Sequence, residues 1–416
     1  MHGTTHAAPA PRPALEVAHV LRAGFDDYRR EHPVSNRQFR AARAMMDCRT
    51  AALGGFSSRC GECGVRTIQY ASCRNRHCPK CQTLRQTRWV EGQCARLLDI
   101  GYWHVVFTLP HDLNPVAACN PDLVYDLLFK AASSTLLEFG RNPKWLGGEI
   151  GFTMVLHTWG QNLGRHIHVH AIVTGGALSP CKERWIAAPK GFLFPTRALS
   201  KVFRGKYLDL LERAHRDGKL RLPGHHDEHG GDSDDEDDFA SFECLRSLLR
   251  SRDWVVYAKP PFNGPKQVMA YLGRYTHKTA ISNHRMVAFD EERGRVRFRW
   301  RDYARGNRRR VMEVSADEFI RRVLLHVLPR GFTRIRHYGL NANRDRNKKL
   351  ALCRELIGQP EPERIEPESP REMMLRLTGI DIKLCRHCGT GTLERTAVFK
   401  PVGPAETARS PPIRSP

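Results

Sequence analysis

No apolar run in the 416-residue sequence approaches the roughly 18 residues a membrane span needs, so nothing in it is expected to cross a bilayer. The opening stretch MHGTTHAAPAPRPALE lacks an apolar centre and is not a secretory leader. Residues 1–13 read as a short disordered lead, and the protein is expected in the cytoplasm, associated with the nucleoid. No G-x-x-x-x-G-K-[ST] phosphate loop occurs, so the chain has no evident motor of its own and is expected to depend on host helicase and polymerase. Acidic residues are scarce: 44 Asp and Glu face 67 Lys and Arg, for a net charge of +23. Arginines run through the whole chain rather than a tail, which favours a polyanionic partner, either nucleic acid or an anionic surface.

Cysteine is not scarce. Without an export signal, 13 cysteines point to metal rather than to disulfides. In CGECGVRTIQYASCRNRHCPKC the pairs Cys60/Cys63 and Cys78/Cys81 each leave a two-residue gap, and 14 residues separate the pairs. That spacing predicts one four-thiolate zinc site, with Gly64 and Pro79 suited to the tight turns. Cys73 and His77 could replace a member or build a second site. Arg74, Arg76 and Lys80 ride on this loop and can meet phosphates. Near the end of the chain, Cys385 and Cys388 form half a zinc site whose other half the sequence does not identify.

The pattern then divides the chain. Residues 14–53 read as helical, and a helix is expected over Leu84 to Leu98. Strands are expected at YWHVVFTLP, at 151–159 and at 166–174, with a helix from Pro121 to Phe139. The stretch 223–238 is acidic and low in complexity, a solvated loop. MVAFDEERGRVRFRW reads as a hairpin, and the segment after residue 357 as a linker.

Two constellations carry chemistry. His166, His168 and His170 alternate along one strand, so they share a face at roughly 6.6 Å intervals. Two such imidazoles can converge on one ion, whereas all three would span roughly 13 Å. His168 and His170, inside the strand, are the expected chelating pair. The second constellation is FNGPKQVMAYLGRYTHK, which starts a helix at Gly264 and Pro265. Tyr271 and Tyr275 fall on one face of it with Gln267, Arg274 and Lys278. Val268, Met269, Leu272 and Thr276 form an adjacent stripe able to pack on a sheet.

A strand with His-hydrophobic-His followed by a helix with Tyr-x-x-x-Tyr resembles the two-tyrosine HUH endonucleases. CRNRHCPKCQ, HVVFTLP, HTWGQNLGRHIHVHAIVTGG, YLGRYTHK and LLHVLPRGFTRIRHYGL resemble, in order, the motifs of rolling-circle transposases of the insertion sequence ninety-one family, over roughly residues 20–345. The resemblance implies an α+β chain: an N-terminal helical zinc-binding module, then an HUH nuclease domain with a central antiparallel sheet flanked by helices. The expected boundaries are 14–98 for the zinc-binding DNA-recognition domain, 99–345 for the nuclease and 346–416 for a C-terminal linker and tail.

The implied activity is nicking and rejoining of single-stranded DNA. A divalent ion, Mg²⁺ or Mn²⁺, on His168 and His170 would polarise the scissile phosphate. Tyr271 and Tyr275 would attack it, each leaving a 5′-phosphotyrosine and a free 3′-OH. Gln161, at the end of the preceding strand, is the expected third ligand, with His157 and Gln267 as rivals. Arg274 and Lys278 would clamp phosphates. A plasmid replication initiator or relaxase would share this chemistry. A non-catalytic zinc protein that binds nucleic acid would need neither the tyrosines nor the histidine pair.

Overall fold

The computed structural model describes residues 13–81, 83–224, 242–262, 268, 279–302, 305–361 and 368–402. The chain divides into two compact units. The first is Met1–Arg88 with His277–Val327 and Arg364–Pro416, and the second is Trp89–Thr276 with Leu328–Glu363. This division differs from the boundaries expected at residues 98 and 345. The segment expected as a linker and tail is split: its helix Arg346–Leu356 lies in the second unit, whereas the part from Arg364 onward lies in the first, where its strand Leu393–Phe399 pairs with the strand Gly55–Cys60.

In the first unit the helices Val17–Glu31 and Asn36–Asp47 bury Val17, Val20, Leu21 and Phe25 of one and Ala41, Ala42 and Met45 of the other. Ser35 starts the second helix. Its hydroxyl accepts from the Gln38 amide while the Gln38 side chain accepts from the Ser35 amide, so two otherwise orphaned donors are satisfied. The unit also holds the helices Ala316–Leu324 and Pro370–Thr378 and two antiparallel three-stranded sheets. One runs in the order Leu393–Phe399, Gly55–Cys60, Arg66–Tyr70, and the other in the order Arg308–Ser315, Arg295–Asp302, Met286–Asp290. The hairpin expected from MVAFDEERGRVRFRW is the pair Met286–Asp290 and Arg295–Asp302.

The second unit is built on a five-stranded sheet with antiparallel neighbours throughout, in the order Ile335–Gly339, Gly151–Trp159, Arg165–Thr174, Tyr102–Thr108, Val256–Phe262. Alternation along the strands separates its two faces. Val105, Phe107, Phe152, Met154, Leu156, Val169, Ala171 and Val173 bury one face against the helices Pro121–Arg141 and Thr196–Arg216. Those helices supply Leu128, Ala132 and Leu136, and Phe203, Tyr207 and Leu211, to the same core. The opposite face carries His104, His157, His168 and His170. Gly339, with φ of 58°, ends the edge strand where any Cβ would collide with the Ile150 carbonyl, so only glycine fits there.

The α+β class and the helix-flanked antiparallel sheet are as expected. The acidic stretch lies almost wholly outside the described residues, as does the segment 263–278 apart from Val268. Tyr271, Tyr275, Gln267, Arg274 and Lys278 therefore fall outside the described residues. No described helix is long and apolar enough to cross a membrane.

Candidate metal centre

The register of the central strands converges the histidines. His157 sits directly opposite His168, and His170 is two residues further along, so all three side chains leave the same face. His168 Nε2 stands 3.0 Å from His170 Nε2, and His157 Nδ1 stands 3.1 Å from His170 Nε2. Nitrogens on neighbouring positions of one ion, each about 2.1 Å from it, stand about 3.0 Å apart. The trio therefore fits a divalent ion. All three residues are buried, and their ligand atoms lie within 4.8 Å of one another.

Hydrogen bonds fix the ring tautomers. His168 Nδ1 lies 2.9 Å from the His166 carbonyl, to which it can only donate, leaving Nε2 with a free lone pair. His104, on the Tyr102–Thr108 strand, brings Nε2 within 2.8 Å of His170 Nδ1 and holds that ring in place, and a donating His170 Nδ1 would leave its Nε2 for a metal. Burial first, then the nearby Lys259 cation, pushes the pKa of His104 down to about 3. Burial also takes His168 down to about 3, with His166 as the next cause. Rings held neutral in this way keep their lone pairs for a metal.

The expected third ligand was Gln161. It lies half-buried in the turn between the two strands, while the third imidazole comes from His157 on the strand itself. Register places His157 directly opposite His168 on the same face of the sheet. His166 belongs elsewhere, with its Nδ1 3.1 Å from His111 Nε2. Sequence reasoning passed over His104, a lone histidine in an apolar strand.

Along the same face, Ile172 and Thr153 are directly paired and lie two residues beyond His170 and Val155. They floor an open pocket lined also by Tyr102, Arg96, His337 and Arg346. Burial, then the charges of Arg346 and Arg96, pushes the pKa of His337 down to about 4. Val268, helical and fully buried, packs against Tyr102 and Ile172 on this face.

The cysteines form two thiolate clusters, not one. Cys60 and Cys63 meet Cys385 and Cys388, whereas Cys78 and Cys81 meet Cys48 and Cys73. The single site expected from Cys60, Cys63, Cys78 and Cys81 is thus divided. The cause is the sheet: Cys60 ends its strand opposite Leu393, which draws the C-terminal Cys385/Cys388 turn onto the Cys60/Cys63 turn.

Sulfurs of one tetrahedral zinc, each about 2.3 Å from it, stand about 3.8 Å apart. The structure places Cys60 and Cys388 at 3.7 Å, Cys63 and Cys385 at 3.7 Å, and Cys73 and Cys81 at 3.6 Å. Backbone amides reach the sulfurs as well: Asn75 donates to Cys73 and Gly391 to Cys388, which favours thiolates. Both clusters fit structural zinc with no open position. Cys73 joins a cluster and His77 does not.

The three basic residues on this loop have different surroundings. Lys80 is drawn inward, ion-paired with Glu16 at 2.5 Å and donating to the Cys48 carbonyl. Arg74 is exposed. Burial, then the neighbouring charge of Arg85, holds the pKa of the half-buried Arg76 below its usual range.

Comparisons with known proteins cover both units. The family described as "Transposase zinc-binding domain" matches residues 20–109, and that described as "Putative transposase" matches residues 151–349. "Putative transposase y4qJ" of Sinorhizobium fredii (strain NBRC 101917 / NGR234) is 48% identical over 392 residues, covering 93% of this chain and 96% of that protein. "Transposase for insertion sequence element IS801" of Pseudomonas savastanoi pv. phaseolicola is 26% identical over 362 residues, covering 85% and 82%. No solved structure matches the chain.

Proposed function

We propose a strand-transfer chemistry for a chain whose family is shown: it belongs to the transposases of the insertion sequence ninety-one family and carries their zinc-binding domain. The chain nicks single-stranded DNA at the ends of an element and rejoins it by a rolling-circle route. Tyr271 and Tyr275 are the nucleophiles. In each transfer a tyrosine oxygen forms a bond to phosphorus and the 3′ oxygen of the preceding nucleotide leaves. The product is a 5′-phosphotyrosine, whose energy is kept for rejoining, so no ATP is consumed. Two tyrosines allow donor and target strands to be held in turn.

The observation that carries this reading is the convergence of His157, His168 and His170 on one face of the sheet. On the same face Val268, from the tyrosine-bearing segment, packs against Ile172. These three imidazoles would hold the divalent ion, which would polarise the scissile phosphate and offset its developing charge. His104 sets the orientation of His170. Sequence reasoning allowed Mg²⁺ or Mn²⁺, and an all-nitrogen donor set favours Mn²⁺, since Mg²⁺ prefers oxygen ligands. Arg96 and Arg346, beyond Ile172, would steady a neighbouring phosphate, and Arg274 and Lys278 would clamp the strand.

The test is a nicking assay on single-stranded DNA with Mn²⁺ or Mg²⁺. Tyr271→Phe with Tyr275→Phe removes only the two hydroxyls. The double variant should bind DNA normally and leave no covalent adduct on a denaturing gel. Protein-linked DNA from that variant would overturn the assignment.

A further inference from the structure

The sheet Arg308–Ser315, Arg295–Asp302, Met286–Asp290 carries a surface that neither the metal centre nor the thiolate clusters require. Exposure alternates along Arg295–Asp302. Val296 and Phe298 are fully buried, with Phe298 5.8 Å from Phe319 between ring centroids. Arg295, Arg297, Arg299 and Arg301 all face outward. The neighbouring strand sets Arg309 directly opposite Arg301, and Val311, 54% exposed, opposite Arg299. Glu313 and Asp290 are the acidic residues in register with this row, opposite Arg297 and Arg295.

This arrangement is costly for a sheet on its own. Like charges directly opposite destabilise a strand pair. Among the described residues, none of Arg295, Arg297, Arg299, Arg301 and Arg309 forms an ion pair, although Arg299 Nη1 donates to the His284 carbonyl at 3.2 Å. Of the acidic groups nearby, Asp302 pairs with Arg310 and Asp290 with Arg293, which leaves Glu313, opposite Arg297, as the one carboxylate in register that is not engaged with another cation among the described residues. A row of unneutralised guanidiniums on a rigid ladder is explained by an anion that covers it.

We propose that this face seats the phosphate backbone of duplex DNA. Alternate residues of a strand stand about 6.8 Å apart, so the four arginines span about 20 Å, or about six base pairs at 3.4 Å each. Among the described residues the outward face offers no aromatic ring, since Phe298 faces the opposite side and Trp300 alternates with the outward arginines. Single-strand platforms depend on such rings to stack bases, so the chemistry here suits a continuous double-stranded backbone instead. The surface lies in the unit that holds both thiolate clusters. It requires only that DNA is the partner and stands apart from the tyrosine chemistry.

The experiment uses the full chain without divalent ion, so that binding is read without cleavage. Affinity for a duplex and for a single strand of the same length is measured against salt. Changing Arg295, Arg297, Arg299 and Arg301 together to Ala should flatten the duplex slope of log K against log salt by about 3.6, at about 0.9 per lost phosphate contact. Single-strand affinity should fall less. The corresponding Lys variant should keep most of the slope. A second variant, Arg301→Gln with Arg309→Gln, relieves the opposed charges and should raise Tm while weakening duplex binding. The proposal is overturned by an unchanged duplex slope, by a larger loss on the single strand, or by a Gln variant that keeps full duplex affinity. Nicking of a short single strand by the Ala variant at saturating concentration should persist, and that separates a failure here from a failure of the strand-transfer reading.

Discussion

Changing Cys385 and Cys388 to serine should remove one zinc from each chain and leave another in place. The structure supports this through two separate sets of sulfurs, each within 4.8 Å of one another, with Cys60 3.7 Å from Cys388 and Cys63 3.7 Å from Cys385. Losing two of four thiolates leaves a pair that cannot close a tetrahedron. A structural zinc is worth about 10–16 kcal/mol of apparent binding energy near neutral pH. That matches or exceeds the roughly 5–15 kcal/mol that holds a whole domain folded. The strand Leu393–Phe399, exposed along most of its length, should therefore leave Gly55–Cys60 when the ion is lost. Elemental analysis should give two zincs per chain for the parent and one for the variant, and limited proteolysis should newly cut beyond residue 379. Changing Cys48 and Cys73 to serine should remove the other zinc independently. A parent with one zinc, or a Cys385/Cys388 variant with undiminished zinc, would refute the two-cluster reasoning and restore the single site read from spacing.

Other consequences follow from the same geometry. His104→Ala removes the group that orients His170 but no ligand, and should weaken Mn²⁺ binding by about 10–100-fold in calorimetry; parent-like affinity would remove its positioning role. His104 and His168 have pKa values lowered to about 3 and His337 to about 4, against 6.5 when unfolded. The unfolded chain then takes up protons below pH 6.5 that the folded chain refuses. Stability is full above pH 6.5 and falls as pH drops toward 3–4, by up to about 1.4 kcal/mol per pH unit for each group; a metal-free Tm that is flat between pH 7 and pH 5 contradicts this. Lys80→Ala breaks the contacts to Glu16 and to the Cys48 carbonyl and should cost about 1.5–3 kcal/mol in denaturant unfolding while leaving DNA affinity nearly intact. Loss of DNA affinity without loss of stability would return Lys80 to the DNA-binding surface. Gly391→Ala sets a methyl against Cys60 Sγ and should lower zinc retention in a chelator challenge, and unchanged retention would show that the turn yields.

Local pattern was enough wherever the information is local. The strand read over 151–159 is the strand Gly151–Trp159, because period-two alternation and flanking turns are properties of adjacent residues. The shared face of His168 and His170 was legible for the same reason. The place of His157 beside them was not, because it depends on cross-strand register: His157 faces His168, while Gln161, closer in sequence to His168, sits in the turn. The thiolates fail in the same way over a longer range. A two-residue gap says that two sulfurs share an ion, but not which other two complete it. Cys60 and Cys388 are separated by 328 positions, and only the pairing of the first and last strands of that sheet brings them together.

The two kinds of centre divide their chemistry by donor type. Four sulfurs around an ion close its shell, so the Cys48 and Cys60 clusters can hold a fold together but cannot accept a substrate. Three imidazoles would supply three ligands to an ion and leave room for others. His157, His168 and His170 gather on the sheet face opposite the main apolar core, which packs against the helices Pro121–Arg141 and Thr196–Arg216. Of the three clusters, the histidine trio is the one whose bound ion would keep a position for a phosphate oxygen. Soft thiolates also outcompete imidazoles for zinc, while the nitrogen trio can accept a harder ion. On the proposed function, the donor chemistry of each cluster would keep a structural and a catalytic metal from exchanging.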